Sequence, residues 1–195
     1  MLELAAAAGE IDLKYLDESG FCMWCTPGYT YYQVGEQKRL EQSKRRGRRL
    51  SILGLFQPLV SFIYGLVIGS ITGESYIKMM EYEARQSELE FKATGRIRVI
   101  VQDNGSIHKS LDVQTYWSKW EHMGLFIFFL PAYCSEMNRI ELEWQQLKKS
   151  EISGQMFDDE LDLAYAVING IEARGERNNY STERFKFKAL PLLLW

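Results

Sequence analysis

The hydrophobic period of this chain switches several times, and the order of the switches constrains the fold more than any other feature. Over residues 74–91, Ile77, Met80, Ala84 and Phe91 fall near one helical face, and Gly95 supplies a stop. Residues 96–102 then alternate, with Ile97, Val99 and Val101 against Arg96, Arg98 and Ile100, which predicts a strand. Ile100 interrupts the polar side, so that strand is expected to be central. Val113, Trp117 and Trp120 return to helical spacing until Gly124, and residues 125–130 form an apolar run of strand length stopped by Pro131. Ile140, Trp144 and Leu147 step as a helix, and a last helix covers residues 158–173 with Leu161, Ala164, Ile168 and Ile171 inward. Upstream, an alanine-rich helix over residues 2–9 precedes strands at 13–17, 28–34, 50–56 and 62–68, the last two joined through Gln57-Pro58. Strands first and strand–helix alternation afterwards predict an α/β fold: one mixed central sheet with helices on both faces.

The 195 residues fit one domain, and 46% apolar with 25% charged residues exclude disorder and fibrous repeats. The charge sum of −3, from 23 basic and 26 acidic residues, excludes a uniformly basic nucleic-acid binder but leaves room for a local patch. Such a patch exists. Lys38, Arg39, Lys44, Arg45, Arg46, Arg48 and Arg49 crowd into residues 38–49 with Glu41 as the sole acid, and they are candidates for gripping DNA phosphates without reading bases. Three cysteines leave one over in any disulfide scheme, and the lone Cys22-Met-Trp-Cys25 pair lacks the second pair a structural zinc site needs. The first ten residues carry acids and no basic n-region, unlike a signal peptide. The longest apolar run, residues 59–71, is short of the roughly 20 residues that span a bilayer, so a soluble protein without a membrane partner is expected.

Three acids stand at element ends. Asp17 closes the first predicted strand, Asp103 closes the strand after the first long helix, and Glu141 lies in the opening turns of the helix that follows the last strand. Ligands of open sheets collect beyond the carboxyl ends of strands. If the strands ending at Asp17 and Asp103 are parallel neighbours, their carboxylates project side by side and repel unless a proton or a cation intervenes. Mg²⁺ suits such a place, because it is held by one or two carboxylates and keeps its other positions for water and phosphate oxygens. Glu141 would complete a second metal position, and two metals about 3.5–4 Å apart clamp the attacking and leaving oxygens of a phosphodiester. Any one of these acids alone is more commonly a solvated or capping group; the sequence around all three changes that balance.

Residues 16–21 read Leu-Asp-Glu-Ser-Gly-Phe, and residues 101–110 read Val-Gln-Asp-Asn-Gly-Ser-Ile-His-Lys-Ser. Residues 130–144 read Leu-Pro-Ala-Tyr-Cys-Ser-Glu-Met-Asn-Arg-Ile-Glu-Leu-Glu-Trp. In this order the three blocks resemble the catalytic domain of DDE-superfamily transposases, above all the bacterial insertion-sequence branch related to mariner elements. The resemblance spans residues 11–188. It implies an RNase H-like fold, two Mg²⁺ or Mn²⁺ ions, and DNA strand cleavage and transfer. Carried over by position, Asp17, Asp103 and Glu141 are the catalytic, metal-holding triad. The family's proline before the third acid is Arg139 here, and its Ser-Pro is Cys134-Ser135; neither change removes a ligand. The resemblance further implies DNA as partner, both element ends and target, with two ends paired by a homodimer. Such transposases usually carry an N-terminal helix-turn-helix region. About ten residues precede the first predicted strand, so residues 1–195 are expected to be a single catalytic domain, with any helix-turn-helix region on a separate polypeptide. A cytoplasmic, nucleoid-associated location follows from the same reading.

The neighbours of the triad leave alternatives open. His108 could orient a phosphate or support a metal-holding side chain, or it could simply bond loop backbone; it is not expected to ligate metal. Asn104 reads as a turn residue or as a holder of Asp103. Arg139 could pair with Glu141 or touch phosphate. Glu143 lies about 200° around the helix from Glu141 and is expected in solvent. Tyr29, Tyr31 and Tyr32 suit sheet packing better than base stacking. Two other functions remain compatible: a different RNase H-like nuclease, and a non-catalytic DNA-binding remnant relying on residues 38–49.

Overall fold

The computed structural model describes residues 1–23, 47–132 and 134–187. The strand expected at 28–34, the Tyr29–Tyr31–Tyr32 run, Cys25 and the cations Lys38, Arg39, Lys44, Arg45 and Arg46 lie outside the described residues. The chain runs α1 (Leu2–Ala7), β1 (Ile11–Phe21), β2 (Leu50–Gln57), β3 (Ser61–Ile68), α2 (Gly73–Thr94), β4 (Ile97–Gln102) and α3 (Leu111–His122). It continues through β5 (Leu125–Phe129), α4 (Ile140–Gln146), a π-helical turn (Leu147–Ile152), α5 (Glu160–Asn178) and β6 (Ser181–Arg184). The strands form one six-stranded sheet in the order β5-β4-β1-β2-β3-β6. β1, β2 and β3 pair antiparallel, whereas β4 joins β1, β5 joins β4 and β6 joins β3 in parallel.

The alternation along the strands sends side chains to two cores. Leu13, Tyr15, Ile52, Phe56, Phe62 and Val101 pack under Ile140, Trp144, Leu163, Val167 and Ile171 of α4 and α5, with α1 alongside. Leu16, Leu53, Leu55, Ile63 and Ile100 pack under Tyr76, Met79, Met80 and Ala84 of α2 and Val113 and Trp120 of α3. Helices therefore cover both faces of a mixed sheet, as the periodicity predicts, and Ile100 is buried because β4 is a central strand. Its polar neighbour Arg98 is buried too, held by Asp12, Glu83 and Glu90 at the end of β1 and β4 away from Asp17.

Four readings need correction. β1 does not stop at Asp17: its parallel ladder with β4 ends at Tyr15, but its antiparallel ladder with β2 runs on through Ser19, Gly20 and Phe21. The turn-like Glu18-Ser19-Gly20 string hides that continuation, which only a long-range partner supplies. Leu161 is exposed, not inward, because it lies about 200° around α5 from the buried Leu163. Phe91, read with the inward face of α2, is also exposed, at 38%. Finally, β6 is missing from the sequence reading. Its four residues, Ser-Thr-Glu-Arg, carry no apolar alternation, and the strand exists by adding to the open edge of β3.

Candidate active site

The parallel register of β1 and β4 pairs Ile11 with Ile97 and Tyr15 with Val101. Carried two residues further along both chains, it sets Asp17 level with Asp103. Asp17 shares the face of Leu13 and Tyr15, the face that α4 covers. Glu141 sits in the first turn of α4, whose start is tied to β1: Asn138, buried at 2% exposure, donates from Nδ2 to the carbonyl of Leu16 at 3.0 Å, and its own carbonyl accepts from the Glu141 amide at 3.0 Å. Trp144, one turn further on, is buried against Phe62 with ring centroids 5.3 Å apart. The three predicted acids are thus delivered to one end of the sheet by β1, the end of β4 and the start of α4.

Their electrostatics register that approach. Burial pushes the Asp17 carboxyl up to about 7, reinforced by the negative charges of Glu141, Glu18 and Asp103, against a hydrogen bond from the Glu18 backbone that works the other way. Asp103 shifts in the opposite direction, held below the usual carboxylate range by the hydrogen bond from His108, with the Gly105 amide assisting against burial. Among the described residues, no three His, Cys, Asp or Glu side chains converge as a ready ligand sphere. The donor chemistry nevertheless fits a hard cation: three carboxylates at one sheet end, one of them driven towards its neutral form by burial and, after that, by the charges of its neighbours, make a charge conflict that a divalent ion resolves.

His108 resolves one open alternative. It is fully buried, with Nδ1 2.9 Å from Asp103 Oδ1 and Nε2 3.1 Å from Glu18 Oε1. Burial works against its charge, but the bonds to Asp103 and Glu18 outweigh that and raise it to about 9. The loop reading holds in part, since Nδ1 also lies 3.4 Å from the Asp103 carbonyl, and the two carboxylates add a bridging role to it. Asn104 turns away from Asp103: its amide donates to the Leu130 carbonyl and its oxygen accepts from Lys109. Arg139 meets neither Glu141 nor the triad and instead forks onto Glu3 at 2.8 and 3.1 Å. Glu143 is not in solvent. Its Oε2 accepts from Arg174 Nη2 at 2.7 Å and Tyr180 Oη at 2.9 Å, fixing α4 to α5. Sequence spacing shows the angle between Glu141 and Glu143 but not the cation waiting on α5. Glu18 is the residue that reasoning from sequence missed; its position directly after Asp17 was the available signal.

Of the predicted DNA-binding cations, two are described. Arg48 is exposed and bridges Glu160 at 3.8 Å, and Arg49 is exposed with its guanidinium lying against Gly20 of β1. Cys134 is a free thiol. No helix among the described residues is long and apolar enough to cross a membrane.

The DDE superfamily endonuclease family matches residues 12–164, more than three-quarters of the chain, and the chain belongs to that family. No curated protein matches. Among solved structures, the Mos1 mariner paired-end complex with Mg matches 91% of this chain with a TM-score of 0.65 at 13% identity, and the complex with Mn gives 0.62 at 14%. The chain covers 53% and 57% of those two transposase chains, little more than half of their length. The isolated catalytic domain of Mos1 is matched over 84% of its length, with a TM-score of 0.57 at 12% identity. The fold is accordingly RNase H-like, and the chain is a DDE transposase-like catalytic domain.

Proposed function

We propose that this domain cuts and joins DNA phosphodiesters as the catalytic part of a transposase, of the bacterial insertion-sequence branch related to mariner elements. The observation that carries the reading is that β1, the end of β4 and the start of α4 bring Asp17, Asp103 and Glu141 to the same end of the sheet, where burial, with the charges of Glu141 and Asp103 adding to it, raises Asp17 to about 7. Asp17 and Asp103 would share one Mg²⁺ or Mn²⁺ ion and Glu141 would hold a second. Bound there, the ions would supply Lewis acidity to the attacking and leaving oxygens. The protein's own part is to hold the carboxylates in place: Asn138 and Trp144 dock α4, and His108 restrains Asp103. The similar structures favour the same reading, since Mos1 transposase forms a paired-end complex with its left transposon end. By extension we assign this chain DNA ends and target as partners, a homodimeric state on DNA, cooperation with a helix-turn-helix region that reads the ends, and a cytoplasmic, nucleoid-associated location.

The test is nicking of supercoiled plasmid with Mn²⁺ by wild type and by Asp103→Asn. Wild-type nicking that falls to background in the folded variant is expected; undiminished nicking by Asp103→Asn overturns the assignment. RNA–DNA hybrid cleavage without plasmid nicking would move it to a different RNase H-like nuclease.

A further inference from the structure

Asp103 lies just beyond the last residue of β4, so no strand ladder restrains its carboxylate. Two contacts do, and both fall on Oδ1: the Gly105 amide donates a hydrogen bond at 2.8 Å, and His108 Nδ1 makes an ion-pair contact at 2.9 Å while also lying 3.4 Å from the Asp103 carbonyl. The His108 ring is itself immobilised from three directions. Its Nε2 meets Glu18 Oε1 at 3.1 Å, its ring packs against Tyr76 with centroids 4.9 Å apart and planes inclined by 33°, and its backbone amide donates to the Gly105 carbonyl at 3.1 Å. Tyr76 is anchored in turn through its hydroxyl to Gln102 Oε1 at 3.0 Å, one residue before Asp103. Glu18 points to the opposite side of β1 from Asp17, so the imidazole reaches around the end of the sheet to join one acid from each face. A buried loop histidine that merely satisfied backbone would need no carboxylate on either nitrogen.

We infer that Glu18 and His108 form a clamp that fixes the Asp103 carboxylate for divalent-cation capture, making both of them positioning residues of the proposed metal centre. The inference rests on the reading that Asp103 holds metal. Carboxylates that bind metals depend on partners hydrogen-bonded behind them, and loss of one such partner typically lowers metal affinity about 10–100-fold. Glu18 acts through His108: it holds the ring in the one orientation that presents Nδ1 to Asp103.

The experiment is Mn²⁺ titration by calorimetry on wild type, Asp103→Asn, Glu18→Gln, His108→Asn and His108→Phe, with a thermal melt of each. Glu18→Gln and His108→Phe are expected to bind Mn²⁺ about 10–100-fold more weakly. His108→Asn, whose amide nitrogen reaches about as far as Nδ1, is expected to recover most of the affinity that the phenyl ring loses, which general damage to packing would not do. Glu18 is partly exposed and glutamine keeps its shape, so Glu18→Gln remains measurable if the buried substitutions fail to fold. Unchanged affinity in folded Glu18→Gln and His108→Phe, beside loss in Asp103→Asn, overturns the clamp and leaves the metal centre standing. No Mn²⁺ binding by wild type overturns the metal centre and the clamp together.

Discussion

Gly54 and Trp144 occupy each other's space: a Cβ on Gly54 would stand 2.6 Å from Trp144 Cζ2. Gly54 is the residue paired with Asp17 across β1 and β2, and Trp144 lies three residues after Glu141 on α4. The missing side chain lets the helix that carries one acid settle onto the strand pair that carries another. Phe62 closes the other side, 2.8 Å from the same hypothetical Cβ and 5.3 Å in ring centroid from Trp144, so neither ring has room to yield.

Gly54→Ala should therefore overpack this spot, costing about 1–3 kcal/mol, and lift α4 from the sheet. Urea unfolding reads the first effect and Mn²⁺ affinity the second. A variant with wild-type values of both would show that α4 can shift without disturbing Glu141.

Asn138 fastens the start of the same helix. Asn138→Ala removes the donor to the Leu16 carbonyl, a loss of about 1–3 kcal/mol if that oxygen stays buried and unpaired. Plasmid nicking should fall further than stability alone accounts for, because Glu141 and the residue before Asp17 lose their link. Equal nicking at temperatures well below both melting points would refute the positioning part.

The carboxylate cluster also predicts an unusual pH dependence for the cation-free protein. An aspartate near 3.8 when unfolded and about 7 when folded loses folding stability as pH rises between those values, because the unfolded chain releases its proton first. Above about 7 the penalty is complete, and below the unfolded value it vanishes. Asp17→Asn should melt higher than wild type at pH 8 and level with it near pH 4. Saturating Mn²⁺ should raise the wild type and not the variant. A variant that melts lower at pH 8 would mean that the Asp17 carboxylate is stabilised, not strained, by its neighbours.

The layered fold could be read from periodicity because burial on both faces leaves its mark residue by residue, as in the Val99, Ile100, Val101 run of β4. What escaped depends on partners distant in sequence. β1 outlasts Asp17 because β2 pairs with it, β6 forms on an open edge, and Glu143 is turned inward by Arg174 from α5. The triad was legible only through the wording around each acid, since alternation along β1 says nothing of which strand lies beside it. The bridge from Glu18 through His108 to Asp103 needs a loop to fold back around the sheet end, and spacing in sequence does not encode that path.

Beyond Asp17 and Glu18, the outer part of β1 carries two cations: the Arg49 guanidinium against Gly20, and Lys148 with Nζ 5.5 Å from the centre of the Phe21 ring. Arg48 differs from them, since Glu160 faces its side chain at 3.8 Å and accepts from its backbone amide at 2.9 Å. Each phosphate neutralised by a protein cation contributes about 0.9 to the slope of log affinity against log salt on duplex DNA. Arg49→Ala with Lys148→Ala should therefore flatten that slope by about 2, measured with chelator present so that no strand is cut. Arg48→Ala should change it less, and Lys92→Ala, whose ammonium lies on Glu88 of α2, should leave it unchanged. A slope lowered equally by all three variants would mean that DNA answers to net charge alone. A slope untouched by the double variant would place the phosphates elsewhere on the domain.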